Sequence, residues 1–266
     1  MAHQPITDSQ QALTYTSYLR IHELLELQVP RSEPAEHDET LFIIIHQTYE
    51  LWFKQVLHEC NHLIAALGKN EAATARHTFK RILTILKTLV GQVDILETMT
   101  PMEFTSFRAR LESASGFQSR QFRALEITLG KRDARMMQHY SQDPVIAAIV
   151  AKPTLYDAFL GYLSHQGIAI PADVLSRKPD DPIVESEELR RILVSVYREH
   201  PVLADLCERL IDVDEGLQEW RYRHVKMVER TIGFKKGTGG SSGVEYLRNT
   251  LFRPLFADLW AIRSEL

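Results

Sequence analysis

Apolar residues recur at spacings of three and four, not alternating in twos, along three proline-free stretches, residues 35–100, 102–143 and 202–253. Proline removes a helix donor and clashes with the preceding turn, so its absence lets these stretches run as long helices. The pattern predicts an all-α, helical bundle-like fold with long antiparallel helices. It places them at 14–28, 39–67, 71–98, 101–111, 118–140, 154–165, 186–199, 202–231 and 244–263. Pro171, Pro179 and Pro182, with the charged run Lys178 to Asp181, mark a surface connection and not a boundary. One domain over 1–266 is expected.

Composition narrows the class. With 44% hydrophobic and 25% charged residues, the 266-residue chain has enough apolar side chains for a large core, which excludes disorder. A net charge of −4 argues against a nucleic-acid-coating protein. There is no run of about 18 apolar residues to span a bilayer, and the polar start MAHQPITDSQ does not read as a secretory signal. Cys60 and Cys207 lie far apart in apolar surroundings, as expected of reduced packing thiols in a cytoplasmic protein.

Eleven histidines offer metal ligands or proton handlers. The string His58-Glu59-Cys60-Asn61-His62 matches HExxH, the zinc-gripping pattern of metallohydrolases, but lacks the extended signature. At 100° per residue, His58 and His62 fall beside Leu51 and Gln55, away from the strip Phe42, His46, Phe53, Leu57, Cys60 and Ile64. The string is therefore read as a decoy with solvated imidazoles. His46, inside that apolar strip, points inward, either as a satisfied core histidine or as a hydrogen-bonding group at the wall of an apolar pocket.

His224 belongs to the strip Leu206, Leu210, Val213, Leu217, Trp220, His224, Val228 and Thr231. Around it lie Arg221, Arg223, Lys226 and Arg230, then Lys235 and Lys236. These charges form a solvated flank, or they meet the acidic groups of a flat metal cofactor ligated by the histidine. No CxxCH motif exists, so a haem would be held without covalent attachment. The segment Gly233 to Gly243, GFKKGTGGSSG, is not a phosphate loop. It reads as a flexible turn or as a lid whose backbone and Thr238 hydroxyl approach a ligand closely.

The blocks HDETLFIIIHQTYELWFKQ, TPMEFTSFRARLESASGFQSRQFR and WRYRHVKMVERTIGFKKGTGGSSGVEYL resemble the signature blocks of the tryptophan 2,3-dioxygenase family. The resemblance extends from LTYTSYLRIHELL through LYDAFLGYL to the glycine loop and so covers most of the chain. It implies an all-α homotetramer in which helices enclose a pocket for haem b, active in the ferrous state. The implied reaction adds O2 across the indole C2=C3 bond of L-tryptophan to give N-formylkynurenine, the first step of tryptophan catabolism.

By the same resemblance, His224 is the proximal iron ligand and His46 the distal group that meets the indole N–H. Phe42 packs on the indole, Arg108 pairs with the substrate carboxylate, and Thr238 meets its ammonium or carboxylate. Ser115 and Gly116 line the haem pocket. Tyr15, Tyr18 and Leu19, in the N-terminal segment 1–35, reach a neighbouring subunit's site. Phe104 stands where some bacterial members carry a tyrosine that helps hold the carboxylate, and Val93 where some carry a tryptophan beside the haem. Two alternatives stay open: a relative that inserts one oxygen into a substituted tryptophan to give an oxindole, and a haem sensor without turnover.

Overall fold

The computed structural model describes residues 12–132, 142–237 and 243–266, apart from the side chains of Phe117 and Tyr246. In chain order the helices are α1 (Tyr15–Leu19), α2 (Ile21–Leu25), α3 (His37–Gly68), α4 (Ala72–Leu96), α5 (Pro101–Arg108), α6 (Arg120–Leu129), α7 (Pro144–Val150), α8 (Leu155–His165), α9 (Ala172–Leu175), α10 (Glu187–Glu199), α11 (Pro201–Ile232), α12 (Val244–Arg248) and α13 (Ala257–Ala261). Short 3₁₀ turns lie at Ala109–Leu111, Gly116–Gln118 and Ile262–Ser264. Among the described residues there is no strand, so the all-α expectation holds.

Helices α3 and α11, 32 residues each, are about 48 Å long at 1.5 Å per residue. A three-residue turn at 69–71 reverses the chain into α4. The pairs Tyr49–Leu89 and Glu59–Arg81 show that α3 and α4 run antiparallel. By contrast, Arg76 meets Val202 and Asp205 at one end while Arg223 meets Asp94 at the other, so α4 and α11 run parallel. The long intervening chain permits this parallel pair beside the antiparallel α3 and α4. Leu63 and Cys60 of α3, Phe79, Ile82 and Leu89 of α4, and Leu206, Leu210 and Leu217 of α11 are buried in one continuous core. Each such side chain contributes about 1.5–3 kcal/mol by leaving water.

Three expected helices differ from those observed, and one observed helix was not expected. The single helix over 14–28 is two short ones, broken where Arg20 takes φ 52°, and neither α1 nor α2 buries a residue. With no core to dock on, they lack the packing that sustains a helix. The helix over 118–140 stops at Leu129, where Gly130 takes φ 126°, a conformation that side chains resist; residues 133–141 lie outside the described residues.

The helix over 244–263 is interrupted between Arg248 and Ala257. Pro254 disfavours helix at the residue before it. The buried carboxylate of Asp214 on α11 instead receives the backbone N–H groups of Leu255 and Phe256 at 2.7 and 3.2 Å, and the Trp260 indole at 3.0 Å. Helix α7 went unforeseen, although Asp143 caps it and Pro144 occupies its first turn. The apolar stretch Pro144–His165, of mean hydropathy 1.2, is divided at 151–154 into α7 and α8. Neither piece has the roughly 20 residues that a bilayer needs.

Candidate functional site

Toward one end of the bundle, α3, α4, α5, α6 and α11 surround a cavity of about 650 Å³, within the range of small-molecule and cofactor sites. Its walls are mainly apolar, with Phe42 and Phe53 from α3, Val93 and Leu96 from α4, Phe104 from α5, Phe122 from α6, and Val228 from α11. Two imidazoles open onto it, His46 and His224.

His46 is held from its own helix: Nδ1 lies 2.7 Å from the Phe42 carbonyl. A carbonyl only accepts, so the proton sits on Nδ1, and Nε2 of the neutral ring is an acceptor. Burial pushes the His46 pKa down, opposed by that hydrogen bond and by Glu50. Its ring lies 4.1 Å from Phe42, which also meets Phe104 at 5.7 Å and Phe107 at 5.5 Å. These rings form an aromatic wall beside the His46 imidazole.

Burial, and then the nearby His46, push the His224 pKa down to about 4. Among the described residues it has no hydrogen-bond partner. Its ring stacks on Trp220 at 5.3 Å and 11°. Trp220 in turn is enclosed by Phe53 at 5.7 Å and Phe122 at 4.9 Å, which limits rotation of the pair. A neutral imidazole with an uncommitted nitrogen is what metal ligation requires.

Helix α5 starts with a reciprocal cap, Thr100 with Glu103, and Pro101 in its first turn. This sets Phe104 and Phe107 inward and brings Arg108 to the cavity at the helix end. Arg108 Nη2 donates to the Lys236 carbonyl at 2.7 Å, while its buried Nε has no partner. Ser115, Gly116 and the α6 cap Ser119 complete this side.

The tryptophan 2,3-dioxygenase family profile matches residues 1–149 and 181–266. The chain belongs to that family. A protein named tryptophan 2,3-dioxygenase from Herpetosiphon aurantiacus is 56% identical over 259 residues, covering 96% of this chain and 99% of the relative. Relatives of the same name from Anaeromyxobacter sp. strain K and Anaeromyxobacter dehalogenans are 57% and 58% identical, each covering 96% of this chain and 97% of the relative.

Against the tryptophan 2,3-dioxygenase expectations, the structure brings Phe42, His46, Phe104, Arg108, Ser115, Gly116 and His224 to one cavity. Thr238 lies outside the described residues. Tyr15, Tyr18 and Leu19 are not at this chain's cavity; they stand 77%, 71% and 43% exposed on α1. The HExxH string does not form a site. His58 and His62 are exposed, while Glu59 is buried and paired with Arg81 at 3.1 Å and Gln55 at 2.7 Å.

The basic run around His224 separates by helical phase. Arg223 pairs with Asp94 and Glu97, Lys226 with Glu229, and Arg230 with Glu97 on the outer side. Arg221 alone of the four turns inward to Glu126. Sequence reasoning missed Tyr49, Trp220's role in the wall, and the charged residues Arg123, Glu126 and Lys131. The last three lie on and just after α6 with no motif to single them out. The family is haem-dependent, and the site fits a porphyrin: the cavity is roomy and apolar, and His224 presents a neutral ring to it.

Proposed function

We propose that this chain is a haem-dependent dioxygenase that converts L-tryptophan and O2 to N-formylkynurenine, with the described and remaining residues acting as one catalytic domain. The observation that carries this reading is the pairing of His224 and His46 on one apolar cavity with Arg108 at its edge. His224 would hold the iron of haem b, which when bound supplies the activation of dioxygen. No other group in the chain needs to be redox-active, since both oxygen atoms enter the product and no outside electron donor is consumed.

The chain's own residues bind and orient. His46 Nε2 accepts the indole N–H of the substrate, because Nδ1 is already committed to Phe42. That bond fixes which edge of the indole faces the reacting centre. Phe42, with Phe104 beside it, stacks on the ring and excludes water. Arg108 Nε, buried and unpartnered, together with the rest of the fork, takes the carboxylate. Thr238, on the adjoining glycine-rich segment, takes the ammonium or carboxylate. Ser115 and Gly116 line the oxygen side.

The N-terminal segment supports a homotetramer: Leu13, Tyr15, Tyr18 and Leu25 are 77%, 77%, 71% and 67% exposed, an apolar set that invites a neighbouring chain. Two buried free thiols, both pushed up to about 12 by burial, accord with a reducing cytoplasm.

The deciding experiment is reduction of the haem-loaded protein without oxygen, addition of L-tryptophan, then of air, and mass analysis of the product. A gain of two oxygen atoms supports this reading. One oxygen and an oxindole points to a monooxygenating relative, and a haem spectrum unmoved by tryptophan with no product points to a sensor.

A further inference from the structure

Past Gly243 the chain runs back along α11: Arg248 meets Glu229, and further on the Leu255 N–H meets Asp214, nearer the start of that helix. This return segment is part of the cavity, which Gly243, Leu247 and Thr250 line together with Gly237, Thr231 and Ile232. It forms the side read above as meeting the substrate carboxylate, because Arg108 donates to the Lys236 carbonyl, one residue before Gly237.

Helix α12 has five residues, too few to be stable alone, so its pose comes from what it touches. Val244 is buried at its start. At its end, Arg248 Nη2 meets Glu229 Oε1 at 2.6 Å, and the guanidinium lies over the Phe234 ring, with Cζ 5.3 Å from the centroid. Lys226 takes the other oxygen of Glu229 at 3.2 Å. Arg248 therefore fastens α12 both to the body of α11, at Glu229, and to the chain leaving α11, at Phe234. Leu247 and Thr250 flank Arg248, and Thr250 Oγ1 donates to the Leu247 carbonyl at 2.7 Å. The two wall residues are held as a unit with it.

Resting on the tryptophan reading above, we propose that Arg248 is a positioning residue: through Glu229 and Phe234 it sets Leu247 and Thr250 against the bound amino acid, and so contributes to substrate affinity without touching the substrate. Arg248 does not itself line the cavity. Its side chain is 46% exposed and that of Glu229 24%, and solvent screening of a pair so placed limits the effect to a few-fold. The wall meets the substrate before and during the reaction alike, so its loosening weakens both states equally and appears in KM, not in kcat.

The test follows turnover of L-tryptophan by the full-length, haem-loaded protein over a range of substrate concentrations. Arg248→Gln and Glu229→Gln should each raise KM by about three-fold, with kcat and haem per chain within about 1.5-fold of wild type. The double variant should show the same rise of about three-fold and not the product of about nine-fold, because both changes break one pair. Arg248→Lys, which keeps the charge but lacks the planar group that stacks on Phe234, should recover part of the affinity. Glu229→Gln decides the matter if Arg248→Gln does not fold. An unchanged KM in a folded single variant, a fall in kcat in place of the KM rise, or the full product in the double variant overturns the positioning role while leaving tryptophan turnover intact. No product from the wild type overturns the tryptophan reading, and this role with it.

Discussion

Arg108 and Lys236 are 128 positions apart in sequence, yet the guanidinium of one donates to the backbone carbonyl of the other at 2.7 Å. The end of α5 is thereby joined to the start of the glycine-rich segment by the same residue that is read as the carboxylate clamp. Removing it should act twice. Arg108→Ala is expected to raise KM for L-tryptophan by on the order of 10²-fold, as loss of a charge-assisted pair in a closed site implies. It should also raise protease sensitivity near Lys236. Arg108→Lys should recover only part of the affinity, because an ammonium lacks the planar fork. Steady-state kinetics beside limited proteolysis check this, and a KM within two-fold of wild type would remove Arg108 from the substrate site.

The other end of that segment depends on Gly243. Its φ is 64° with ψ −126°, and a Cβ there would lie 2.6 Å from the Lys235 carbonyl oxygen. Both the backbone conformation and the close approach exclude a side chain. Gly243→Ala should force the segment's two ends apart and lower kcat/KM by ten-fold or more, while haem content stays at the wild-type level. The haem absorbance per chain and the rate together distinguish this from general misfolding.

The depressed histidines make a pH prediction for the protein without haem. The folded pKa of His224 is about 4 against an ordinary value of 6.5. Between those values the unfolded chain carries a proton that the folded chain does not, so stability is full above about 6.5 and falls as pH drops toward 4. His46 is shifted in the same direction. Urea unfolding at pH 7, 6, 5 and 4.5 should show this decline, and His224→Leu should make it shallower. Identical slopes for the two proteins would contradict the burial of a neutral His224.

Glu126 and the HExxH histidines should respond in opposite ways. Glu126→Gln leaves three cations around a neutral amide and should destabilise the fold by about 3–5 kcal/mol. The double change His58→Ala and His62→Ala touches exposed rings and should alter stability by about 0.5 kcal/mol or less, with haem content and turnover unchanged. Denaturant melts and metal analysis on both variants settle the contrast; loss of activity in the double variant would restore the zinc reading.

The helical class and the long helices were legible from spacing, since α3, α4 and α11 bury a stripe at every third or fourth residue and contain no proline beyond the first turn. The inward phase of His46 and His224 was legible for the same reason. Breaks were harder. Arg20, Gly130 and the run before Pro254 each ended a helix because the backbone at that point found a better partner, or none, and periodicity does not record that.

The sequence alone determined which residues could carry the chemistry: two imidazoles on apolar faces, an arginine on α5, a glycine-rich segment, and family blocks specific enough to imply haem. Only the tertiary structure decided which charges face inward. Arg221 and Arg223 are two residues apart in the same basic run, but 200° of helical rotation sends one to Glu126 in the cavity wall and the other to Asp94 and Glu97 on the outer side. Helical phase is written locally. Which neighbour waits at that phase depends on the packing of α4 and α6, more than ninety residues earlier in the chain.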